Sequence, residues 1–303
     1  MIGVDWGTSS FRAVRLAADG SVLARIETPQ GIMAVAEGGF AGTLRTAVGP
    51  WLAAGERRVL LCGMVGSRQG WAEAAYLDCP AGPEELAAAL LPVAFGGAEV
   101  RIVPGLAAAD ADGVPEVMRG EETQVAGAAA LLPDARIACL PGTHSKWVRL
   151  EAGRIAGFAT HLTGEAFAAL RGHTILGRMM RAGNTDRAAF DRGVARAGEA
   201  GGLLHHLFGV RALALFGRLA ETEGASYLSG LLIGHEVRAA LREDAGPEDA
   251  GPENAGVVPV IGEASLAALY VRAIAACGGR AETLAGDHAA AGLARIGGLA
   301  SWS

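Results

Sequence analysis

A strand, a Gly-Thr turn and a second strand occur twice in this chain, and the repetition constrains the fold more than any other feature. The first copy is Ile2-Gly3-Val4-Asp5-Trp6-Gly7-Thr8-Ser9-Ser10, leading into Phe11-Arg12-Ala13-Val14-Arg15-Leu16. The second is Ile137-Ala138-Cys139-Leu140-Pro141-Gly142-Thr143-His144-Ser145, leading into Lys146-Trp147-Val148-Arg149-Leu150. Gly7 aligns with Gly142, Thr8 with Thr143 and Ser10 with Ser145. Each copy then turns at a glycine, Gly20 or Gly153, toward a third strand. Short apolar runs closed by glycine turns read as β-hairpins. Backbone N–H groups and hydroxyls in such turns make anion sites. Two hairpins facing each other across a cleft can hold a polyphosphate from both sides.

A length of 303 residues predicts about two domains. The net charge of −6 argues against a nucleic-acid protein, and an anionic substrate would need local basic residues. Cys62, Cys79, Cys139 and Cys277 are widely spaced, without a CxxC pair. They read as thiols of a reducing cytoplasm, not as a disulfide or zinc framework. Met1 runs directly into a strand, so no signal peptide is expected. No apolar run reaches the length of a membrane span. Lys146 is the single lysine among the 26 basic residues. It sits inside the second hairpin, where a compact ammonium suits phosphate in a way that a guanidinium fork does not.

Strands and helices alternate through both halves. Helices are expected over Phe40–Ala53, Pro83–Leu91 and Glu122–Leu132, with strands at Arg58–Cys62 and Glu99–Val103. In the second half a helix is expected over Glu165–Leu170, and the stretch from Arg187 to Leu241 reads as mostly helical. Its apolar helices could supply a homodimer face or simply core. Asp244–Gly256 repeats Ala-Gly-Pro-Glu and reads as a polar surface loop. A strand at Val257–Ile261 and helices at Glu263–Cys277 and Asp287–Ile296 complete the chain. The pattern predicts an α/β protein of two similar lobes, 1–132 and 133–303. His205 and His206 lie in an apolar helical stretch and read as structural.

Asp5-Trp6-Gly7-Thr8-Ser9-Ser10 resembles the first phosphate motif of the actin, Hsp70 and sugar-kinase superfamily. Leu140-Pro141-Gly142-Thr143-His144-Ser145-Lys146-Trp147 resembles its second, and Val258-Pro259-Val260-Ile261-Gly262 its adenosine motif. Three further segments narrow the match: Cys62–Trp71, Met118–Gln124 and Thr160–Glu165. Together they resemble the 2-dehydro-3-deoxygalactonokinase family over nearly the whole chain. The resemblance implies two ribonuclease H-like lobes of the actin-like ATPase fold facing a central nucleotide cleft. It implies a kinase that uses ATP and Mg²⁺ to convert 2-dehydro-3-deoxy-D-galactonate to its 6-phosphate in galactonate catabolism. Competing readings are a kinase for another sugar, sugar acid or polyol, and an actin-like nucleotide switch. Neither nucleic acid nor membrane is expected as a partner.

Roles follow residue by residue. Asp5, a carboxylate at a strand end, can orient Mg²⁺ through water. Gly7, Thr8, Ser9 and Ser10 would line the phosphates from one lobe, and Gly142, Thr143, Ser145 and Lys146 from the other. Gly262 and Glu263 would approach the adenosine, with Ser265 beside them. Related sugar kinases carry an aspartate base between the two phosphate motifs. This chain has Glu121 and Glu122 there, and either could accept the substrate hydroxyl proton. Ser67, Arg68, Gln69 and Trp71 follow a buried strand, where open α/β sheets bind ligands. Arg68 and Arg119 are the candidates for gripping a sugar-acid carboxylate.

Overall fold

The computed structural model describes residues 1–245 and 256–302. Nine α-helices and fourteen strands are assigned among these residues. The strands are β1 (Ile2–Trp6), β2 (Phe11–Leu16), β3 (Val22–Thr28), β4 (Arg58–Cys62), β5 (Leu77–Asp78), β6 (Leu91–Val93), β7 (Glu99–Ile102), β8 (Leu106–Ala109), β9 (Pro115–Met118), β10 (Ile137–Leu140), β11 (Ser145–Glu151), β12 (Arg154–His161), β13 (Val257–Val260) and β14 (Arg280–Thr283). The helices are α1 (Phe40–Ala53), α2 (Pro83–Ala88), α3 (Glu121–Ala128), α4 (Thr163–His173), α5 (Arg187–Ala197), α6 (Gly202–Leu215), α7 (Gly224–Ala245), α8 (Ala264–Ala276) and α9 (His288–Leu299).

The repeated sequence gives a repeated topology. One sheet has the order β3-β2-β1-β4-β7-β6, and another the order β12-β11-β10-β13-β14. In each, the first strand of the Gly-Thr hairpin pairs antiparallel with the strand after the turn. It also pairs in parallel with a later strand, β1 with β4 and β10 with β13. Central strands of this kind are covered on both faces and read as near-continuous apolar runs. Both Ile2-Gly3-Val4 and the whole of β10 are buried accordingly.

Two compact units emerge. The first takes in Met1–Asp134, Leu150–Phe158 and Gly286–Ser303, and the second Ala135–Arg149 and Ala159–Ala285. The core of the first gathers Ile2, Val4, Trp6, Phe11, Leu44 and Leu61. One core of the second gathers Cys139, Trp147, Phe190, Val258 and Tyr270, and another gathers Tyr227, Leu228 and Leu231. A single cut between 132 and 133 therefore misses the return of the C-terminal helix, which packs on α3 in the first unit. The crossing of these two helices depends on paired glycines. A Cβ on Gly127 would come 2.5 Å from the Gly292 nitrogen, and one on Gly292 would overlap the Thr123 carbonyl.

Several local expectations are corrected. The helix expected over Pro83–Leu91 stops at Ala88, and Leu91 opens a strand. The helix expected over Glu165–Leu170 runs from Thr163 to His173. Asp244 belongs to helix α7, which continues to Ala245, and the rest of the expected loop up to Ala255 lies outside the described residues. A small sheet, β5-β8-β9, has no counterpart in the expectations. Helix α6 leaves Leu204 and Phe208 exposed. Among the described residues no helix is long and apolar enough to cross a membrane.

The α3–α9 crossing yields a test. Gly292→Ala should cost about 1–3 kcal/mol or more, the range for forcing atoms into a packed interface. Urea unfolding should show a lower midpoint at unchanged slope. A midpoint equal to that of the wild type would show that the crossing is not a close one.

Candidate active site

In the first unit, strand β1 delivers Asp5 to the carboxyl end of the sheet, beside Cys62 of β4. The Gly7–Ser10 turn follows, closed by Gly7 N–H donating to the Ser10 carbonyl at 2.9 Å. Trp6 anchors the strand exit, with its ring edge-on to Phe11 and its indole N–H donating to the Gln30 carbonyl at 2.9 Å. The segment after Gln30 braces the turn: Ile32 N–H donates to the Gly7 carbonyl at 3.0 Å and Met33 N–H to that of Thr8 at 3.3 Å. Gly31 makes this possible, since any side chain there would overlap the Thr8 carbonyl and the Ser9 backbone. Thr8 and Ser9 stay exposed. A Cβ on Gly63 would reach within 3.2 Å of Asp5 Oδ1, and one on Gly120 within 3.3 Å of the Gly63 Cα. Asp5, Gly63 and the start of α3 are thus neighbours.

The electrostatics around Asp5 are those of a carboxylate short of positive charge. Burial raises its pKa, Arg12 across the hairpin opposes this, and Asp287 and Glu121 push it further up. Arg12 stands 3.6 Å from Asp5 and also binds Glu27. Asp287 caps helix α9 through Ala290 N–H and pairs with Arg25. Arg12 and Asp287 were not singled out from the sequence. The register of β1 on β2 places Arg12 opposite Asp5, but nothing local brings residue 287 there.

Helix α3 separates its two glutamates. Glu122 is fully buried: Oε2 accepts from Gly120 N–H at 2.6 Å and Oε1 from the Thr123 hydroxyl at 2.9 Å. Burial first, and Glu121 second, lift its pKa to about 7. Glu121 is half-buried, and its Oε2 accepts from Arg119 N–H at 3.1 Å. A base must reach its substrate, and the expectation for Glu122 is corrected because its carboxylate is enclosed, whereas Glu121 is half-buried.

The 67–71 loop divides in the same way. Ser67 turns its hydroxyl back onto the Met64 carbonyl at 2.7 Å. Trp71 stacks on Phe40 and packs edge-on to Phe95. Arg119 is buried, donates to the Ala74 carbonyl at 2.7 Å and lies over the Tyr76 ring. Its Nε and Nη1 are buried with no partner among the described residues. Ser67, Trp71 and Arg119 therefore hold the loop. Arg68, 87% exposed and 3.4 Å from Glu73, and the exposed Gln69 present side chains to solvent.

In the second unit, Gly142, Thr143 and His144 form the turn at the end of β10, with Thr143 and His144 exposed. The N-terminus of α4 braces it. Glu165 N–H donates to the Thr143 carbonyl at 3.0 Å, and the Glu165 carboxylate pairs with His144. A Cβ on Gly164 would stand 2.8 Å from the Thr143 Cα and overlap the Gly142 carbonyl. The positive end of a helix so placed favours an anion at the turn. Ser145 is corrected: it is fully buried, and its hydroxyl meets Tyr270 OH at 2.7 Å instead of facing the turn's open side. Lys146 is 4% exposed, and its ammonium donates to the Thr160 hydroxyl at 3.0 Å.

Gly262 is exposed next to Pro141, and Ile261 N–H donates to the Cys139 carbonyl, so the end of β13 adjoins the Gly142–His144 turn. The Glu263 carboxylate accepts from Ser265 and Leu266 N–H and so serves as the cap of α8. A cavity of about 280 Å³ lies in this unit, lined by Phe167, Arg171, Leu266, Leu269 and Tyr270, with Gly142 and Gly164 of the turn region. His206 is buried, bonded to His235 and to the Ala200 carbonyl, a structural histidine as expected.

A model of the 2-keto-3-deoxy-galactonokinase family matches residues 5–296. A protein of Rhizobium meliloti that carries the name 2-dehydro-3-deoxygalactonokinase is 42% identical over 243 residues, covering 78% of this chain and 79% of its own. The 2-dehydro-3-deoxygalactonokinase of Escherichia coli is 34% identical over 288 residues, covering 95% and 94%. A crystal structure of a 2-dehydro-3-deoxygalactonokinase protein from Sinorhizobium meliloti superposes with a TM-score of 0.86 at 37% identity, over 98% of this chain and 97% of that one. An activator of 2-hydroxyisocaproyl-CoA dehydratase from Clostridium difficile, solved with bound ADPNP, gives 0.52 at 12% identity over 99% and 94%, a likeness of fold alone. The architecture is the α/β fold shared by actin-like ATPases and sugar kinases.

The buried glutamate yields a pH test. Between the ordinary glutamate value of 4.5 and about 7, the folded chain holds a proton that the unfolded chain has released. Stability therefore falls as pH rises through that window. Glu122→Gln removes the dependence. Relative to the variant, the urea midpoint of the wild type should decline from about pH 5 to about pH 7.5. Parallel curves would show that Glu122 does not titrate there.

Proposed function

The chain belongs to the 2-keto-3-deoxy-galactonokinase family, and on that premise we propose how its residues move a phosphoryl group from ATP to 2-dehydro-3-deoxygalactonate. It is a phosphotransferase with an alcohol group as acceptor, and it uses ATP. The observation that carries the proposal is the doubled Gly-Thr turn, each copy at the end of a buried strand and each braced through a glycine. In the first unit Thr8 and Ser9 offer backbone N–H groups and hydroxyls to phosphate, and in the second Gly142 and Thr143 offer backbone N–H groups and the Thr143 hydroxyl. The cavity beside Leu266 and Leu269 takes the adenine, with Gly262 next to the ribose.

Asp5 fits a magnesium ion. Its carboxylate is a hard oxygen donor whose charge is made costly first by burial and then by the nearby Asp287 and Glu121, with Arg12 opposing. No group of three or more His, Cys, Asp or Glu that could hold a metal occurs among the described residues. One carboxylate with water and phosphate oxygens is an ordinary environment for this ion. When bound, magnesium neutralises charge on the phosphates. Glu121 accepts the proton of the acceptor hydroxyl, that of carbon 6. Arg68 forks the sugar-acid carboxylate and Gln69 meets a sugar hydroxyl, on a loop held by Arg119, Ser67 and Trp71. We place the reaction in the cytoplasm, a setting that suits four free cysteines.

ADP release should be measured with 2-dehydro-3-deoxygalactonate, its gluconate epimer, galactonate and neutral hexoses. Turnover should be confined to the keto-deoxy acids. Asp5→Asn should lower kcat by about 100- to 1,000-fold in a folded protein. Arg68→Ala should raise KM for the acid by about 10- to 100-fold, the weight of a charged hydrogen bond, with KM for ATP unchanged. Slow ADP release indifferent to every acceptor would overturn the proposal, and equal effects of Arg68→Ala on both substrates would remove Arg68 from the pocket.

A further inference from the structure

Glu236 is a buried carboxylate held mainly by neutral donors, with the imidazole of His161 near enough to favour its charged form. It lies on α7, 3% exposed, and no ion pair includes it among the described residues. Neutral donors from neighbouring elements satisfy it instead. Trp147 Nε1 of β11 donates to Oε1 at 2.8 Å, and Tyr270 OH of α8 donates to Oε2 at 2.7 Å. A carboxylate in a dry site stabilises less than an apolar side chain of the same volume would. Its presence therefore calls for a reason other than stability.

The direction of the hydrogen bonds gives that reason. Tyr270 has one hydroxyl proton, and a carboxylate can only accept. The proton therefore goes to Glu236, and Tyr270 accepts from the Ser145 hydroxyl at 2.7 Å. Ser145 directly follows the Gly142-Thr143-His144 turn, in which Thr143 and His144 are exposed. The Tyr270 ring lines the cavity together with Leu266 and Leu269. One buried chain, Glu236 to Tyr270 to Ser145, thus links the cavity wall to the first strand residue after the turn. Both Glu236 and Ser145 are too deeply buried to touch a ligand.

We infer that Tyr270, held by Glu236, is a positioning residue that fixes the second phosphate turn relative to the wall of the base cavity. The inference rests on the nucleotide reading given under Proposed function. Loss of the link leaves the base pocket in place and lets the phosphate turn drift, so it weakens recognition of phosphate and not of adenosine.

The test compares adenosine with ADP by calorimetric titration of the full chain. Tyr270→Phe keeps the ring and removes the link. It should leave the Kd for adenosine within about twofold and raise that for ADP about tenfold, the scale of one buried hydrogen bond. It should also lower kcat without changing KM for the sugar acid. Glu236→Gln is the conservative control. Its carbonyl accepts from Trp147, its amide donates to Tyr270, and the Tyr270 proton turns to Ser145, so the ADP-to-adenosine ratio should stay near that of the wild type. A merely structural role would lower both affinities alike in Tyr270→Phe, and that result overturns the inference. If Tyr270→Phe does not fold, Ser145→Ala cuts the same link from the other end, and an unchanged ratio there overturns the inference equally. Wild type that binds neither ligand would overturn the nucleotide reading and this inference with it. Wild type that binds ADP, beside a variant with an unchanged ratio, overturns this inference alone.

Discussion

On the proposed reading each Gly-Thr turn must keep its backbone N–H groups pointing outward and held still, and the holding is done by a neighbouring backbone that carries no side chain. Gly31 lies against Thr8 and Ser9, and Gly164 lies against Gly142 and Thr143. The two braces differ in kind, one the N-cap of a single 3-10 turn at Ile32–Ala34 and the other the first turn of α4. Both leave the threonine of the turn exposed. Packing against a wall without a Cβ fixes a turn while its polar groups stay open for a ligand. The strands, the bracing segments and the following helices are all arranged around that requirement.

Acidic residues around the first turn are sorted by burial. Asp5 and Glu121 remain partly accessible, and Glu121 adds to the cost of ionising Asp5 after burial and Asp287. Glu122, one residue on, is withdrawn into the interior and tied to the backbone that begins α3. Asp287 contributes negative charge from the C-terminal segment, although it also caps its own helix. In the second unit the equivalent tie is the carboxylate of Glu236, which reaches the turn through two hydroxyls and no charge.

The parts of this design that repeat were legible in the sequence. The duplicated hairpins could be aligned residue by residue, and α1 and β4 follow from apolar runs ended by glycine. Strand β8, Leu106-Ala107-Ala108-Ala109, lacks the β-branched residues that mark a strand, and β9 carries a proline, so the small sheet was hidden. Ser145 looked equivalent to Ser10, but it opens a buried strand, and only packing against α8 shows that its hydroxyl turns inward. Arg119 and Arg68 looked alike in a chain rich in arginine. Tertiary contacts bury one beneath the loop and leave the other in solvent. Gly31 and Gly164 carried no local signal, because the atoms that exclude a side chain there come from distant residues.

The account depends most on the claim that braced turns hold the transferring phosphates. The direct measurement is steady-state turnover with ATP and the keto-deoxy acid for Gly31→Ala and Gly164→Ala, alongside circular dichroism to confirm folding. Displacing either turn by the width of a methyl group should lower kcat by about 100-fold, the scale of a misplacement of about 1 Å, in a chain that retains its secondary structure. Near-normal turnover in a folded variant of either residue would contradict the claim, and the turn concerned would have to be released from its phosphate role.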